Sequence, residues 1–325
     1  MIPRRQFHAY TIGAALGGLA GTARAQAGYR IKPIRIIIPI GAGGVLDVLT
    51  RTITDRVATT LGQGFVIENR GGAGGNIGME AVARSAPDGY TLMVNGPSSA
   101  INPALYKNLS FDPVKDLVPV VMLCTGPFAV FVSGTLPVNN VAEFIAYAKA
   151  APGKLNYASI GAGSAAHLSS VMFSTAAGIE MTHVPYKAIQ SAVADLVTGS
   201  VHVVFNAYPP LAPLLQDKKL KLLGFASARR LTAWPSIPTL AETGLPGFEA
   251  GGWYVVSVPA GTPREIQRRL NAEFVQALRQ PDLAAAVVKL GWEPLTLGLE
   301  ESQAYFAREV DKWGRAVRAS GATAE

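Results

Sequence analysis

One stretch near the start of the chain constrains the fold more than any other. Residues 34–40 carry isoleucine at five of seven positions, which is typical of a strand buried on both faces. Three glycines follow within residues 41–44. A helical spacing of apolar side chains then runs from Leu46 to Leu61 and ends at Gly62. The sequence therefore predicts a buried strand, a bare loop and a helix in direct succession.

This order of elements can bind an anion. Glycines leave the N–H groups of the loop uncovered, and the first N–H groups of a helix lack partners where the helix dipole favours negative charge. The same arrangement also occurs as a tight connection without a ligand, and this stretch alone leaves both interpretations open. We expect the loop to hold the carboxylate group of a ligand.

The pattern of strand, small-residue loop and helix recurs along the chain. Three such units precede residue 117, and a later one places a helix at residues 165–177 between Ser164 and Gly178. Such repetition is typical of α/β sheets whose ligand crevice lies at the carboxyl ends of the strands. Residues 117–125 and 128–132 have the composition of two consecutive strands, and we place the first crossing between two lobes there.

The expected architecture is an α/β fold with two lobes. Each lobe is a sheet flanked by helices, and two crossings join the lobes around a ligand cleft. The expected divisions are an export signal at residues 1–25, a first lobe at 26–127 plus 250–325, and a second lobe at 128–249. A cleft between two such lobes is a usual place for a small ligand.

The first 25 residues have the composition of an export signal. Arg4 and Arg5 precede an apolar segment, and Ala23 and Ala25 supply the small residues that a signal peptidase recognises. Both a twin-arginine signal and a Sec signal fit this pattern. We therefore expect a periplasmic protein from which this segment is removed near Ala25.

The net charge favours small anions over nucleic acids. Of the 29 basic residues, Arg4, Arg5 and Arg24 lie in the export signal, which leaves 26 against 22 acidic residues and a net charge of +4. The remaining lysines and arginines are scattered rather than arranged in a stripe. We expect a monomer that binds a small molecule and no nucleic acid.

The sequence lacks the motifs of enzyme and metal chemistry. Cys124 is the only cysteine, and no H-x-x-H, C-x-x-C or H-E-x-x-H spacing is present. The glycines at 41–44 are not followed by the last glycine of the dinucleotide motif G-x-G-x-x-G, and the nucleophile motif G-x-S-x-G is absent. We therefore expect no catalytic residue, no metal and no cofactor.

Eight short blocks of sequence follow the order of a known family. They are ENRGGAGGNIG at 68–78, APDGYTL at 86–92, NPALY at 102–106, DPVKD at 112–116, PGKLNYAS at 152–159, HVPYK at 183–187, PAGTP at 259–263 and WG at 313–314. Together they resemble the substrate-binding proteins of tripartite tricarboxylate transporters, also called Bug receptors. The blocks span nearly the whole chain after the export signal.

The resemblance implies a two-lobed periplasmic binding protein of type II, which captures an organic acid and delivers it to the membrane subunits of a permease. It also implies that a carboxylate is held between the loops at residues 41–47 and 161–167, partly through backbone N–H groups and bridging waters. Two alternatives remain: a receptor that serves a sensor kinase, and an α/β enzyme.

Departures from the family pattern bear on the identity of the ligand. Ile40 and Val45 stand where the family commonly has an aromatic and a small polar residue, Ala165 replaces a proline, and Asn206 replaces a common aspartate. A missing polar partner for a buried ligand hydroxyl or amine costs about 1–3 kcal/mol. We therefore expect a ligand less polar than citrate or an amino acid, an aliphatic or aromatic mono- or dicarboxylate.

The expected ligand-binding residues come from both lobes. They are Ile40, Gly41, Ala42, Gly43, Gly44, Val45, Asp47, Gly96, Ser98, Gly163, Ser164, Ala165, His167, Tyr186, Lys187, Asn206 and Trp253. Several have a structural alternative: Asp47 as a carboxylate favoured by the helix dipole, Ser164 as a helix cap, and His167 as a packed histidine. Trp253 fits a wall of the pocket and ordinary core packing equally well.

Overall fold

The computed structural model describes residues 32–186 and 188–324. The expected export signal and Lys187 lie outside the described residues. The strands are β1 Ile34–Ile38, β2 Phe65–Asn69, β3 Thr91–Asn95, β4 Leu117–Pro127, β5 Ala129–Ser133, β6 Leu155–Ser159, β7 Met181–Pro185, β8 Val203–Asn206, β9 Leu220–Phe225, β10 Gly251–Pro259 and β11 Glu293–Pro294. The helices are α1 Val45–Leu61, α2 Asn76–Ala83, α3 Ser98–Leu105, α4 Val141–Ala150, α5 Ala165–Ala177, α6 Ile189–Thr198, α7 Ala212–Gln216, α8 Leu240–Thr243, α9 Arg264–Leu278, α10 Pro281–Lys289 and α11 Leu299–Ser320.

The first lobe is built on a six-stranded sheet with the order β11-β4-β10-β3-β1-β2. β1 runs parallel to β2 and β3, as the repeated strand–loop–helix pattern predicts. β10 lies antiparallel between β3 and β4, because it returns from the second lobe in the opposite direction. The sheet is therefore mixed, and the loops that follow β1 and β3 lie at the same edge.

The second lobe is built on a five-stranded sheet with the order β7-β6-β8-β5-β9. β6 runs parallel to both β7 and β8, whereas β5 is antiparallel to β8 and β9. Helix α5 begins after β6, as α1 begins after β1. The two lobes thus repeat the same strand–loop–helix unit, and the expected two-lobed α/β fold is confirmed, while the exact lobe boundaries stay a prediction.

Two neighbouring strands carry the chain between the lobes. β4 of the first sheet passes into β5 of the second, and β10 returns, with the N–H of Phe128 donating to the oxygen of Ala250 at 2.9 Å. A side chain at Gly251 would overlap the backbone of Gly126, so the two crossings approach each other more closely than bulkier residues permit. This pair of crossings connects the two lobes.

Buried apolar side chains fix each sheet between helices. The isoleucines of β1 are fully buried, and Leu49 and Ile53 of α1 lie in the same cluster, which confirms the strand and helix expected from the sequence. Trp313 on α11 belongs to a cluster that also contains Leu168 of α5, so the last helix joins the two lobes. Among the described residues, no helix combines the length and the apolar character that crossing a bilayer requires.

Candidate functional site

A cavity of about 630 Å³ lies where the two lobes face each other. Its lining residues are Pro39, Ile40, Gly41, Leu46, Gly71, Gly72, Gly74, Gly75, Asn95, Gly96, Pro97, Ser98, Ile101, Asn102, Leu105, Tyr106, Ile160, Ala162, Gly163, Ser164, Ala165 and Tyr254. None of these described residues is acidic or basic. An anion bound here would be held by neutral hydrogen-bond donors and by helix dipoles.

Three helices begin at this cavity. α1 follows the first loop, which we define as residues 39–44, and α5 follows the second loop, residues 160–164; α3 begins at Ser98. Gly44 supplies no side-chain cap, so the first N–H groups of α1 are open to other acceptors. At α3 the N–H groups of Ser99 and Ala100 already donate to the oxygens of Gly96 and Pro97, which leaves the N–H of Ser98 without an acceptor among the described residues. Helix N-termini that converge on a cavity favour negative charge within it.

Asp47 fixes the shape of the first loop. The N–H of Gly43, which has a φ of 83°, donates to Asp47 Oδ2 at 2.9 Å. Arg51 Nε and Asn69 Nδ2 donate to the other carboxylate oxygen at 3.1 and 3.2 Å. The hydrogen bond from Gly43 is the main reason that the pKa of Asp47 lies below its usual value, with Arg51 and Asn69 adding to it. The carboxylate therefore faces the protein and stays ionised.

His167 has the same place in the second lobe. The N–H of Gly163, with a φ of 75°, donates to His167 Nδ1 at 3.0 Å. The imidazole stacks on His183 with 4.2 Å between ring centroids, and His183 Nε2 lies 2.7 Å from the hydroxyl of Ser159. Burial, followed by the repulsion from His183, lowers the pKa of His167 to about 4. His167 is therefore neutral at pH 7 and accepts the loop N–H.

The second loop touches the first lobe directly. A Cβ added at Gly163 would overlap the side chain of Leu105 at the end of α3. At Gly43 of the first loop, an added Cβ would meet no atom within 4 Å. A side chain at position 163 would therefore require Leu105 to shift, in addition to the strain of the positive φ.

Two buried asparagines line the first-lobe side of the cavity. Asn102 Nδ2 donates to the oxygen of Gly74 at 3.0 Å and to Asn76 Oδ1 at 2.7 Å, which braces the glycine-rich loop at 71–75. Asn95 Oδ1 accepts hydrogen bonds from Gly96 N at 2.7 Å and Ser98 Oγ at 2.9 Å. The Asn95 side-chain nitrogen is buried and has no acceptor in the part of the chain that the structure describes.

The structure brings together residues from both predicted loops. The predicted residues that line the cavity are Ile40, Gly41, Gly96, Ser98, Gly163, Ser164 and Ala165. Ser164 is also the cap of α5, since its Oγ accepts the N–H of His167 at 3.3 Å, and its hydroxyl hydrogen is left to donate. Lys187 is outside the description.

The other predicted residues do not line the cavity. They are Ala42, Gly43, Gly44, Val45, Asp47, His167, Tyr186, Asn206 and Trp253. Asp47 and His167 lie directly behind the loops, where they bind the glycine N–H groups. Tyr186 is turned into its own lobe, where its hydroxyl donates to Asp195 at 2.6 Å. Asn206 Oδ1 accepts from the next N–H in the chain, that of Ala207, at 2.8 Å.

Of the two alternatives for Trp253, a wall of the pocket and core packing, the structure favours core packing. Trp253 faces α11 and donates its indole N–H to Glu309 at 2.7 Å, while Tyr254, one position along β10, lines the cavity. Successive side chains of a strand point to opposite faces, so an error of one position selects the wrong face. Burial raises the pKa of Tyr254, so its hydroxyl is neutral.

Sequence reasoning missed several lining residues. Asn95 and Tyr106 were not predicted, and nor was the glycine-rich run at 71–75. Asn95 ends a buried strand directly before a glycine, which is the same signal that identifies the first loop. The glycine-rich run carries the same signal after β2. No sequence pattern points to Tyr106, which reaches the cavity from the end of α3.

Comparisons with known proteins agree with this geometry. The model of the tripartite tricarboxylate transporter family receptor matches residues 49–322. The solved structure of R. palustris Rpa4515 with adipate is 33% identical, with a TM-score of 0.78 over 90% of this chain and 98% of that one. The periplasmic binding protein BugD is 31% identical, with a TM-score of 0.74 over 90% and 99%. MatC of Rhodopseudomonas palustris with bound malate is 32% identical, with a TM-score of 0.72 over 88% and 99%.

Proposed function

This chain belongs to the tripartite tricarboxylate transporter receptor family, and from that premise we propose that its cleft binds a small organic carboxylate between the first and second loops. The family consists of receptors rather than enzymes. The observation that carries the proposal is the cavity itself: loops from both lobes, three helix N-termini and no charged lining residue among those described. Such a cavity compensates a single anionic group without an opposing cation.

The carboxylate is held by uncovered N–H groups and by Ser164. The N–H groups of Gly43 and Gly163 are already bound to Asp47 and His167, so they shape the loops instead of binding the ligand. The donors that remain are the first N–H groups of α1, the N–H of Ser98 and the hydroxyl of Ser164. Anions at helix N-termini are stabilised by such donors together with the dipole.

The body of the ligand is apolar. Ile40 and Ile160 lie on opposite sides of the cavity and are 39% and 56% exposed, so each offers apolar surface to a ligand. Leu46, Ile101 and Tyr254 add apolar surface inside. Burying apolar ligand surface here contributes about 25 cal/mol per Å². The ligand class that fits is an unhydroxylated aliphatic or aromatic mono- or dicarboxylate, as with adipate in Rpa4515, rather than a hydroxy acid such as the malate bound to MatC.

The site acts in the periplasm and passes its ligand to the membrane subunits of a tripartite tricarboxylate-type permease. The apolar segment that follows Arg4 and Arg5 supports export, and BugD, a periplasmic binding protein, supports the same location. Closure around a ligand changes the relative position of the two lobes, and this change is the proposed signal for delivery to the membrane partner.

A calorimetric titration tests the proposal. Purified protein is titrated with adipate, benzoate, malate, citrate and glutamate, and with adipamide as the neutral control for adipate. Adipate or benzoate is expected to bind with a dissociation constant below about 10 μM, which corresponds to about 7 kcal/mol. Adipamide, which lacks the charge, should not bind. Binding of only hydroxylated tricarboxylates or amino acids would contradict the ligand class, and turnover of any acid would contradict the receptor function.

A further inference from the structure

Among the described polar residues that line the cavity, Asn95 is distinguished by a buried side-chain nitrogen that has no acceptor. It is 2% exposed, it lies at the carboxyl end of β3 in the middle of the first sheet, and it lines the cavity. Its side-chain nitrogen is buried without an acceptor in the described part of the chain. Buried amide groups are almost always hydrogen-bonded, so an unpaired one at a binding cavity indicates a missing partner.

The orientation of the amide is fixed by its oxygen. Gly96 N and Ser98 Oγ both donate to Asn95 Oδ1, at 2.7 and 2.9 Å. A flip of the amide would place its NH₂ group against the Gly96 N–H, so the flipped form is excluded by two donors facing each other. The nitrogen is therefore held in place as a donor before any ligand binds.

Asn102 provides the internal comparison. It is also a buried asparagine that lines the cavity, but its Nδ2 has two acceptors within the protein, Gly74 O and Asn76 Oδ1. Asn102 is therefore satisfied without a ligand, whereas Asn95 is not. Asn102 therefore stabilises the glycine-rich loop, whereas Asn95 keeps an unpaired donor.

We propose that Asn95 Nδ2 donates a hydrogen bond to an oxygen of the bound carboxylate and thereby selects ligands that present an acceptor oxygen at this point. The inference rests on the proposed function, because it supplies that carboxylate with a specific side-chain donor. A donor that is already desolvated gives up no water on binding, so it favours a ligand acceptor over a ligand donor. A ligand that presented an ammonium group at this point would meet the amide with a second donor, and one that presented an apolar group would leave the amide unpaired.

The decisive variant is Asn95→Asp. It is nearly isosteric and keeps the oxygen that accepts from Gly96 and Ser98, but it replaces the open donor with a negatively charged oxygen. The control is Asn102→Asp, which makes the same change in the same cavity at a nitrogen that already has protein acceptors. Affinity for the best acid from the titration panel is measured at pH 7.5 by calorimetry, and the ligand-free melting temperature of each variant is recorded.

Asn95→Asp is expected to weaken binding at least a hundredfold and to lower the ligand-free melting temperature less than Asn102→Asp does. Asn102→Asp is expected to lower the melting temperature and to weaken binding less than tenfold. If wild-type protein binds the acid and Asn95→Asp binds it with a dissociation constant within threefold of wild type, the role of Asn95 is overturned and the proposed function stands. Wild-type protein that binds no carboxylate would overturn both.

A second measurement does not depend on the variants folding. In wild-type protein labelled with ¹⁵N-asparagine, the side-chain NH₂ signals of Asn95 and Asn102 are followed while the acid is added. The Asn95 signal is expected to shift downfield as its hydrogen bond forms, and the Asn102 signal to move much less. An Asn95 signal that stays in place while the acid saturates the protein would overturn the inference.

Discussion

The two loops that face each other across the cavity use the same hydrogen bond in two chemical forms. Each loop contains a glycine with positive φ whose N–H donates to the side chain four residues later, to Asp47 in the first lobe and to His167 in the second. Asp47 is an ionised carboxylate held by Arg51 and Asn69, whereas His167 is a neutral ring stacked on His183. The two lobes therefore hold equivalent glycine turns with acceptor side chains of different charge.

The difference between these side chains matters because the cavity receives an anion. A carboxylate behind the first loop is tolerated because Gly43, Arg51 and Asn69 already satisfy its oxygens. The second loop instead packs against Leu105 of the opposite lobe, and a neutral ring behind it adds no repulsion toward the ligand. We therefore expect the second loop to be the surface that closes onto the first lobe.

The largest expected effect is a difference in ligand affinity between alanine variants of Gly163 and Gly43. Gly163→Ala should weaken ligand binding roughly a hundredfold, because the new Cβ overlaps Leu105 and overpacking of this kind costs about 1–3 kcal/mol in addition to the strained φ. Gly43→Ala carries the same strain of about 1–2 kcal/mol but meets no neighbouring atom, so its affinity should fall less than tenfold. Calorimetry on both variants gives the comparison, and equal losses of affinity would contradict the assignment of the closing surface to the second loop.

The next effect concerns Asp47, the side chain that accepts the Gly43 N–H of the first loop. Asp47→Ala removes the acceptor of Gly43 N and of two side chains, and should lower the free energy of unfolding by about 2–3 kcal/mol while weakening binding about tenfold. Asp47→Asn keeps one oxygen and should lower the free energy of unfolding by about half as much. Urea denaturation measures both values. An Asp47→Ala variant that loses binding entirely at unchanged stability would instead indicate direct contact with the ligand.

A smaller effect distinguishes two neighbouring residues of β10. Tyr254→Leu removes part of the cavity wall. It should weaken binding about threefold to fivefold, because the ligand loses apolar contact with only one face of the tyrosine ring. Trp253→Phe leaves the cavity unchanged but deprives Glu309 of a donor, so it should lower the free energy of unfolding by about 1–3 kcal/mol at an affinity within twofold of wild type. The reverse pattern would restore Trp253 as the pocket wall.

The smallest effect on affinity is expected from pH. Since the pKa of His167 is about 4 and that of Asp47 lies below its usual value, neither loop brace changes its protonation between pH 8 and pH 5. Affinity, corrected for the ionisation of the ligand, should therefore change less than about twofold in this range.

Stability should behave differently over the same range. The unfolded chain protonates its histidines near pH 6.5 while the folded chain keeps His167 neutral, so the unfolded state binds more protons and stability falls as the pH drops from about 6.5 toward 4. His167→Asn, whose oxygen can accept the Gly163 N–H but does not titrate, should make this decline shallower. A pH dependence as steep as that of wild type would show that His167 has no part in it.

Secondary structure could be predicted from the sequence where local signals and the pattern of buried residues agree. Helix α5 spans Ala165–Ala177 as predicted, because Ser164 caps its start and Gly178 with a φ of 62° ends it. The buried isoleucines of β1 identify a central strand in the same way. These features depend on chain neighbours, so they can be read from the residues alone.

The remaining features depend on tertiary contacts. The sequence leaves open whether Asp47 and His167 contact the ligand or only stabilise their loops, and the turns at Gly43 and Gly163 bring each side chain to the back of its loop. Whether Trp253 or Tyr254 faces the cavity is set by the register of β10 against β3 and β4, which spacing along one strand does not determine. The open donor of Asn95 appears only when its neighbours in space are known.

The central claim is that both loops together hold one carboxylate in a closed cleft. The most direct test is a crystal structure of the protein with the acid that binds most tightly in the titration panel. We expect one carboxylate with oxygens about 2.7–3.2 Å from donors of both the first-loop side and the second loop, directly or through one water, and with Gly163 against Leu105. A carboxylate that contacts only one lobe, or an acid bound outside the cavity between the loops, would contradict the account.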